Sequence, residues 1–442
     1  MADLETAPRA ATTRLPSSRS GWGSALIAAV IVLGLGTRQS QVVPLSLGLT
    51  PATVIIYGCL LLLLLCWLGG QAISSPHRPT MLLVMVAFMA TVCSTAALML
   101  RNASNAEASA SVLVLVRESW LVGLVLFILV VVRSSGGLRL VMRGIVIGAS
   151  ISGAVGLLNT LIGLDVSSAL ALPGLVDQGS LLVDSLQRAG AVRPQGMAGH
   201  PLELSAVLTV AFPLAVGLAM SDRDRGRSGV LWGLMSGLVL VSALATISRS
   251  AVIGAAAALA VMAWSWPVRR VIVLVASGAV GLLLALVTGV PIVTRVASVL
   301  SGGSQDNSVG SRRSGFSYAT GVMPDHWWFG QGSGTYDPRV QPVLDNYYLT
   351  RAVESGLIGA ATIVVMLVGA WLIASSARRR LADAGELATA ELVNGIVGAI
   401  TAFIVIGLIL DVPGFIQISM LQYVVIALAG VAAMVSHQAS AA

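Results

Sequence analysis

Lysine is missing from this 442-residue chain: all 26 basic residues are Arg. GC-rich Arg codons account for that bias, so a pI near 10.0 is no argument for a nucleic-acid partner. Charge of either sign is scarce. Asp, Glu, Lys and Arg make up 10% of the chain, against about 25% in soluble domains. Such a deficit excludes a soluble enzyme and an intrinsically disordered chain. Cysteine is rare as well. Cys59, Cys66 and Cys93 all fall in apolar runs, which excludes a disulfide scaffold and predicts small core residues. The four His (His77, His200, His326 and His437) are scattered, and neither H-E-x-x-H nor G-x-x-x-x-G-K-S/T occurs. No zinc cluster and no phosphate-binding P-loop is therefore visible.

What the chain has is apolar length. Hydrophobic residues reach 56% and the mean hydropathy is +0.90. A helix needs about 20 apolar residues to cross the hydrocarbon. On that rule spans are predicted at 22–37, 52–69, 80–100, 112–132, 144–163, 200–220, 229–247, 250–266, 271–290, 347–375, 389–410 and 416–435. The expected fold is an all-α polytopic membrane protein with about 12 transmembrane helices and a large extracytoplasmic loop. The order is a tail (1–21), helices 1–5 (22–163), a loop (164–199), helices 6–9 (200–290), a larger loop (291–346), helices 10–12 (347–435) and a short tail (436–442). Ser248-Arg249-Ser250 marks a tight turn between the seventh and eighth spans, because an Arg at the centre of one long helix would be costly in lipid. No A-x-A cleavage site follows the first apolar stretch, so it is expected to be a retained anchor.

Orientation follows from Arg. With both termini cytoplasmic, fifteen Arg lie inside, including the clusters Arg378-Arg379-Arg380 and Arg223, Arg225 and Arg227. Eleven lie outside. That outward number is high for loops facing away from the cytoplasm, which points to a use for some of them. The larger outer loop also carries Trp327, Trp328, Phe329, Tyr336, Tyr347 and Tyr348 among Gly330, Gly332 and Gly334, so it is expected to be folded and packed on the bundle.

Guanidinium groups converging outside the membrane suit a phosphate or diphosphate, because the planar fork matches phosphate oxygens and stays charged. The candidates are Arg193, Arg249, Arg312, Arg313 and Arg351. For any one of them the plainer role is a headgroup anchor or an ion pair, less so for Arg249, because a lone Arg in a turn between two apolar spans has few such explanations.

At this point a family pattern emerges. Thr246-Ile247-Ser248-Arg249 resembles the T-x-S-R signature of the O-antigen ligase and O-antigen polymerase superfamily. Gly199-His200-Pro201-Leu202-Glu203-Leu204-Ser205 with Pro213 resembles its G-x-P-N-x-L-A…P span, with Leu202 in place of Asn. Arg312, Phe316, His326 and the stretch Phe329 to Tyr336 resemble its R-x-x-x-W…h-P-x-x-G-x-G-x-x-F segment, with Trp327 in place of Pro. Asp345-Asn346 followed by Gly356 and Gly359 resembles its H-N-x9-G-x-x-G block. The likeness runs in order over about 188–360.

The resemblance implies a GT-C-like glycosyltransferase of the cytoplasmic (inner) membrane. Its donor would be a glycan on a polyprenyl diphosphate and its acceptor a sugar hydroxyl of a glycan or lipid-glycan, joined at the outer face in surface polysaccharide biosynthesis. Arg would stabilise the diphosphate leaving group, with no metal and no cofactor. Asp345 stands where the ligases carry His and is the expected general base, with His326 as its rival. Asp345 also suits the N-cap of the tenth span. Glu203, Asn346 and Glu354 are expected near the acceptor or as supports, Glu203 as an Arg partner. Gly356 and Gly359 are expected to allow close helix packing. A polytopic transporter or flippase of a solute or lipid-linked sugar is the alternative, and a non-catalytic envelope scaffold a third.

Overall fold

The computed structural model describes residues 20–38, 41–42, 50–69, 75–164, 166, 174–177, 187–188, 191–287, 307–338 and 340–441. Arg9, Arg14, Arg19, Arg295, Arg339 and much of the two outer loops lie outside the described residues.

All twelve segments expected to span are helical: α1 (Ser20–Gly36), α2 (Pro51–Leu68), α3 (Arg78–Met99), α4 (Asn105–Val131), α5 (Ser135–Ile162), α6 (Pro201–Asp224), α7 (Val230–Ala245), α8 (Arg249–Ala263), α9 (Val268–Val287), then, after the helix α10 (Asn307–Val322), α11 (Tyr347–Asp383), α12 (Leu387–Ile406) and α13 (Ile416–Ser440). Seven of them, α3–α6 and α11–α13, are long and apolar enough to cross a membrane by length and composition, and α1, α2, α7 and α8 present shorter apolar stretches. The chain is an all-α polytopic membrane protein. Two antiparallel ladders of two-residue strands, Gln41–Val42 with Val176–Asp177 and Gln187–Arg188 with Ala191–Val192, are the only strands among the described residues.

Local chemistry sets the helix ends. Ser104 and Glu107 form a capping box at the start of α4, Ser134 caps α5, and Gly163 ends α5 at φ 68. The central elements are α6, α12 and α13, whose apolar windows are almost wholly buried. Small residues let them close up: a Cβ on Gly217 of α6 would sit 3.0 Å from the Cα of Gly395 on α12.

One end of the bundle is tied by a buried ion pair and two part-buried ones. Arg139 pairs with Asp222, while Arg270 reaches Asp224 at 2.6 Å and Glu391 at 3.2 Å. The Trp266 indole N–H donates to Glu391 at 2.9 Å. At the opposite end lie the N-termini of α6, α8, α11 and α13 together with α10, and here the candidate residues gather.

One expectation needs correction. Cys59 is buried, but Cys93 is exposed on α3. An apolar run in lipid does not reveal which face meets protein, so a residue in such a run is not thereby a core residue. The side chain of Cys66 lies outside the described residues.

Candidate active site

The α7–α8 turn is tight, as its sequence suggests. Residues 246–248 separate the helices, and Ile247 sits at φ 52. A β-branched residue is an outlier there, held only because the surroundings over-determine it. One such support is Arg193, whose Nε donates to the Thr246 carbonyl at 2.8 Å, so the end of the first outer loop braces the turn that carries Arg249.

The larger outer loop is folded where it is described. Helix α10 leads into a 3-10 turn, Met323–His326, and then into the glycine-rich stretch. That stretch plugs a break in α11. Gly356 adopts φ 68, ψ −169, which interrupts the helix. The Gln331 and Gly332 N–H groups donate to the carbonyls of Val353 and Glu354 at 2.9 and 3.0 Å, and Leu357 N–H donates to the Trp327 carbonyl at 3.0 Å. The loop thus replaces helical bonds lost at the break. A Cβ at Gly330 would lie 2.2 Å from the Glu354 backbone, and one at Gly356 2.2 Å from the Trp328 carbonyl. Gly356 therefore admits a loop, rather than a neighbouring helix as its motif suggests.

His326 is held from the α3–α4 connection. Arg101 donates to its Nδ1 at 2.9 Å and to the Gly330 carbonyl at 3.0 Å. The ring lines none of the three cavities described below.

The five Arg candidates divide among one turn and two cavities. Arg193 and Arg249 sit at the α7–α8 turn. Arg312 and Arg313 of α10 share a cavity of about 470 Å³ with Asp345 and Asn346. The Arg312 Nε there is buried without a hydrogen-bond partner among the described residues. Asn346, not Asp345, caps α11: its Oδ1 accepts the Leu349 N–H at 2.9 Å, and its Nδ2 donates to the Leu408 carbonyl at 3.1 Å. Beside this cavity runs an apolar groove of about 530 Å³, lined by Phe316, Met323, Pro324, Trp327 and Tyr348.

Arg351 lies in a separate cavity of about 210 Å³ between α4, α11 and α13. It pairs with Glu118 of α4 at 2.5 Å and lies over the Tyr347 ring at 5.8 Å. Glu354, one turn on, accepts the Gly334 N–H at 3.0 Å. Asp411, in the connection from α12 to α13, lines the same cavity, and its Oδ1 is buried with no partner among the described residues. Burial raises the Asp411 carboxyl from 3.8 to about 6; Asp345 adds to the rise, while the Thr350 hydroxyl, Arg351 and Arg117 oppose it. Burial likewise pushes the Tyr336 phenol up to about 12, with Asp411 and Asp345 adding to the rise.

Glu203 lies within the electrostatic reach of Arg117, and its hydrogen bonds run to the backbone. It accepts backbone N–H groups of Gly199 at 2.9 Å and Gln417 at 2.7 Å, stitching α6 to the start of α13. Arg117, Glu118, Asp411 and Tyr423 of the smaller cavity are absent from the sequence-based candidates. Two of them were legible, because adjacent Arg and Glu within an apolar span signal a functional or paired site.

Residues 234–364 match the family model described as O-antigen ligase. That stretch, less than a third of the chain, is similar to the O-antigen ligase family. No curated protein matches the chain. The matched stretch begins in α7, crosses the α7–α8 turn and the larger loop, and ends in α11 beyond Gly359. It contains Arg249, Arg312, Arg313, His326, Asp345, Asn346, Arg351 and Glu354; Arg193, Glu203, Arg117, Glu118 and Asp411 lie outside it. Among the described residues no group of three or more His, Cys, Asp or Glu is placed to hold a metal ion.

Proposed function

We propose that the protein is a glycosyltransferase that moves or polymerises glycan from a polyprenyl-diphosphate donor onto a sugar hydroxyl, at the outer face of the cytoplasmic membrane, in surface polysaccharide biosynthesis. The observation that carries this reading is the cavity where Arg312 and Arg313 meet Asp345 and Asn346, next to an apolar groove. A diphosphate needs fixed cations, and its polyprenyl chain needs an apolar track. Phe316 and Trp327, both exposed, border that track, and Trp is a residue favoured at the membrane interface. The Arg bias supports an orientation with this end of the bundle outside and both termini in the cytoplasm.

In the reaction the acceptor hydroxyl oxygen attacks the anomeric carbon, and the bond from that carbon to the diphosphate oxygen breaks. The electron pair leaves on the lipid diphosphate, whose growing charge Arg312 and Arg313 stabilise. Asp345 takes the acceptor proton. Arg249, fixed by the strained turn at the same end, adds positive charge.

The test is transfer in membranes supplied with the lipid-linked donor. The doubly substituted protein Arg312→Ala, Arg313→Ala should insert normally and lose at least tenfold in transfer, with the loss in donor KM or kcat. Transfer at the normal rate would remove this cavity from the mechanism.

A further inference from the structure

The smaller cavity differs in chemistry from the Arg312–Arg313 cavity. Its charged lining is Arg117 and Arg351 against Glu118, Glu354 and Asp411, and Arg351 is already paired with Glu118. Such a lining repels a diphosphate. It suits a neutral polyol, whose hydroxyls donate to carboxylates and accept from guanidinium, while tyrosine rings pack on its C–H faces. Tyr336, Tyr347 and Tyr423 supply those rings. The volume, about 210 Å³, lies below the ~300–1,000 Å³ of sites for drug-sized ligands and accommodates a single pyranose ring. Two polar atoms of lining residues, Asp411 Oδ1 and Arg351 Nε, are buried with no hydrogen-bond partner among the described residues, as expected of a lining built for a polar occupant.

Position matters as much as chemistry. Tyr336 Oη donates to the Pro342 carbonyl and accepts the Leu344 N–H, both at 2.8 Å, and the Thr350 hydroxyl reaches the carbonyls of Leu344 and Asn346 at 3.4 and 3.1 Å. Tyr336 and Thr350 line the smaller cavity; Leu344 and Asn346 line the larger. The two cavities therefore meet at the segment that carries Asp345.

We infer that the smaller cavity is a subsite for one sugar ring of the acceptor, in which Glu354 and Asp411 accept hydrogen bonds from its hydroxyls and Arg117 donates one. The inference rests on the glycosyltransferase reading. One wall comes from the matched stretch, through Tyr347, Arg351 and Glu354, and the other from α4 and α13, outside it. Arg117, Gln422 and Tyr423 are thus placed to select the sugar.

The experiment uses the purified full chain in detergent and saturation-transfer NMR. The probes are the methyl glycosides of glucose, galactose, mannose and N-acetylglucosamine, with farnesyl diphosphate as probe of the Arg312–Arg313 cavity. At least one glycoside should bind, and Glu354→Gln and Asp411→Asn should each weaken it tenfold or more while leaving farnesyl diphosphate binding unchanged. Unchanged diphosphate binding shows that the variants remain folded. Arg312→Ala should do the reverse. If no glycoside binds, or both carboxylate variants bind it normally, the subsite is overturned although the donor reading stands. Failure of the unsubstituted protein to bind farnesyl diphosphate would instead count against the donor reading.

Discussion

Arg193 donates to the carbonyl of Thr246 at 2.8 Å, from the end of one loop to a turn 53 residues later. The turn holds Ile247 at φ 52, a conformation that costs on the order of 1–3 kcal/mol for a residue of this kind. Both residues are buried. Arg193→Ala removes a charged donor from a buried carbonyl and should cost about 1–3 kcal/mol. Arg193→Lys should not restore it, because an ammonium cannot reproduce the Nε geometry. Thermal unfolding of the purified protein in detergent measures both. An unaltered midpoint for Arg193→Ala would show that the turn holds without its brace.

Topology is tested by single cysteines in a background lacking Cys59, Cys66 and Cys93. Ser314 is exposed on α10 and Ser228 is exposed between α6 and α7. With the orientation set by the Arg clusters, Ser314→Cys should react with an impermeant thiol reagent in intact cells. Ser228→Cys should react only after permeabilisation. The opposite pattern would invert the molecule and move every candidate residue to the cytoplasmic side.

The helices were legible because lipid demands long apolar runs, and such runs stand out in composition alone. The α7–α8 turn was legible for the same reason, as Arg249 interrupts a run. Partnerships across the bundle were not. Arg351 meets Glu118 from 233 residues away, and no local pattern ties α11 to α4. The burial of Cys93 was misread because a lipid-facing side is as apolar as a core side. Asp345 and Asn346 are adjacent and both suit an N-cap, so spacing alone does not decide between them; the hydrogen bond to Leu349 gives the role to Asn346. The break at Gly356 depends on a loop that arrives from 26 residues earlier, where Gly330 packs on Glu354.

Asp411 gives a pH signature. Its carboxyl lies at about 6, above the usual 3.8, with burial as the main cause. A carboxyl raised in the folded state is easier to protonate there than in the unfolded chain. Its contribution therefore favours folding at low pH and is lost as pH rises from about 4 through about 6. Asp411→Asn removes that penalty. The variant should melt higher than the unsubstituted protein at pH 7.5, and the gap should close below about pH 4. A gap independent of pH would show that Asp411 does not titrate in this range.

Asp345 and Asn346 allow chemistry and capping to be separated by one residue. Asn346 caps α11, and Asp345 lines the cavity with Arg312 and Arg313. Asp345→Asn removes the proton acceptor and leaves the cap in place. Loss of a general base costs roughly 10²–10⁴-fold in rate, so transfer should fall by that order with little change in melting temperature. Asn346→Ala should act in the other direction, destabilising the protein by about 0.5–2 kcal/mol through the lost cap. Asp345→His introduces the residue of the H-N-x9-G-x-x-G pattern that this segment resembles, and should recover part of the activity lost in Asp345→Asn. The measurements are glycan transfer in membranes with the lipid-linked donor and thermal unfolding of the purified variants. Normal transfer by Asp345→Asn would exclude Asp345 as the base. His326→Ala would then be decisive: the ring accepts from Arg101 through Nδ1 and lines none of the cavities, so its loss should lower stability more than the rate of transfer.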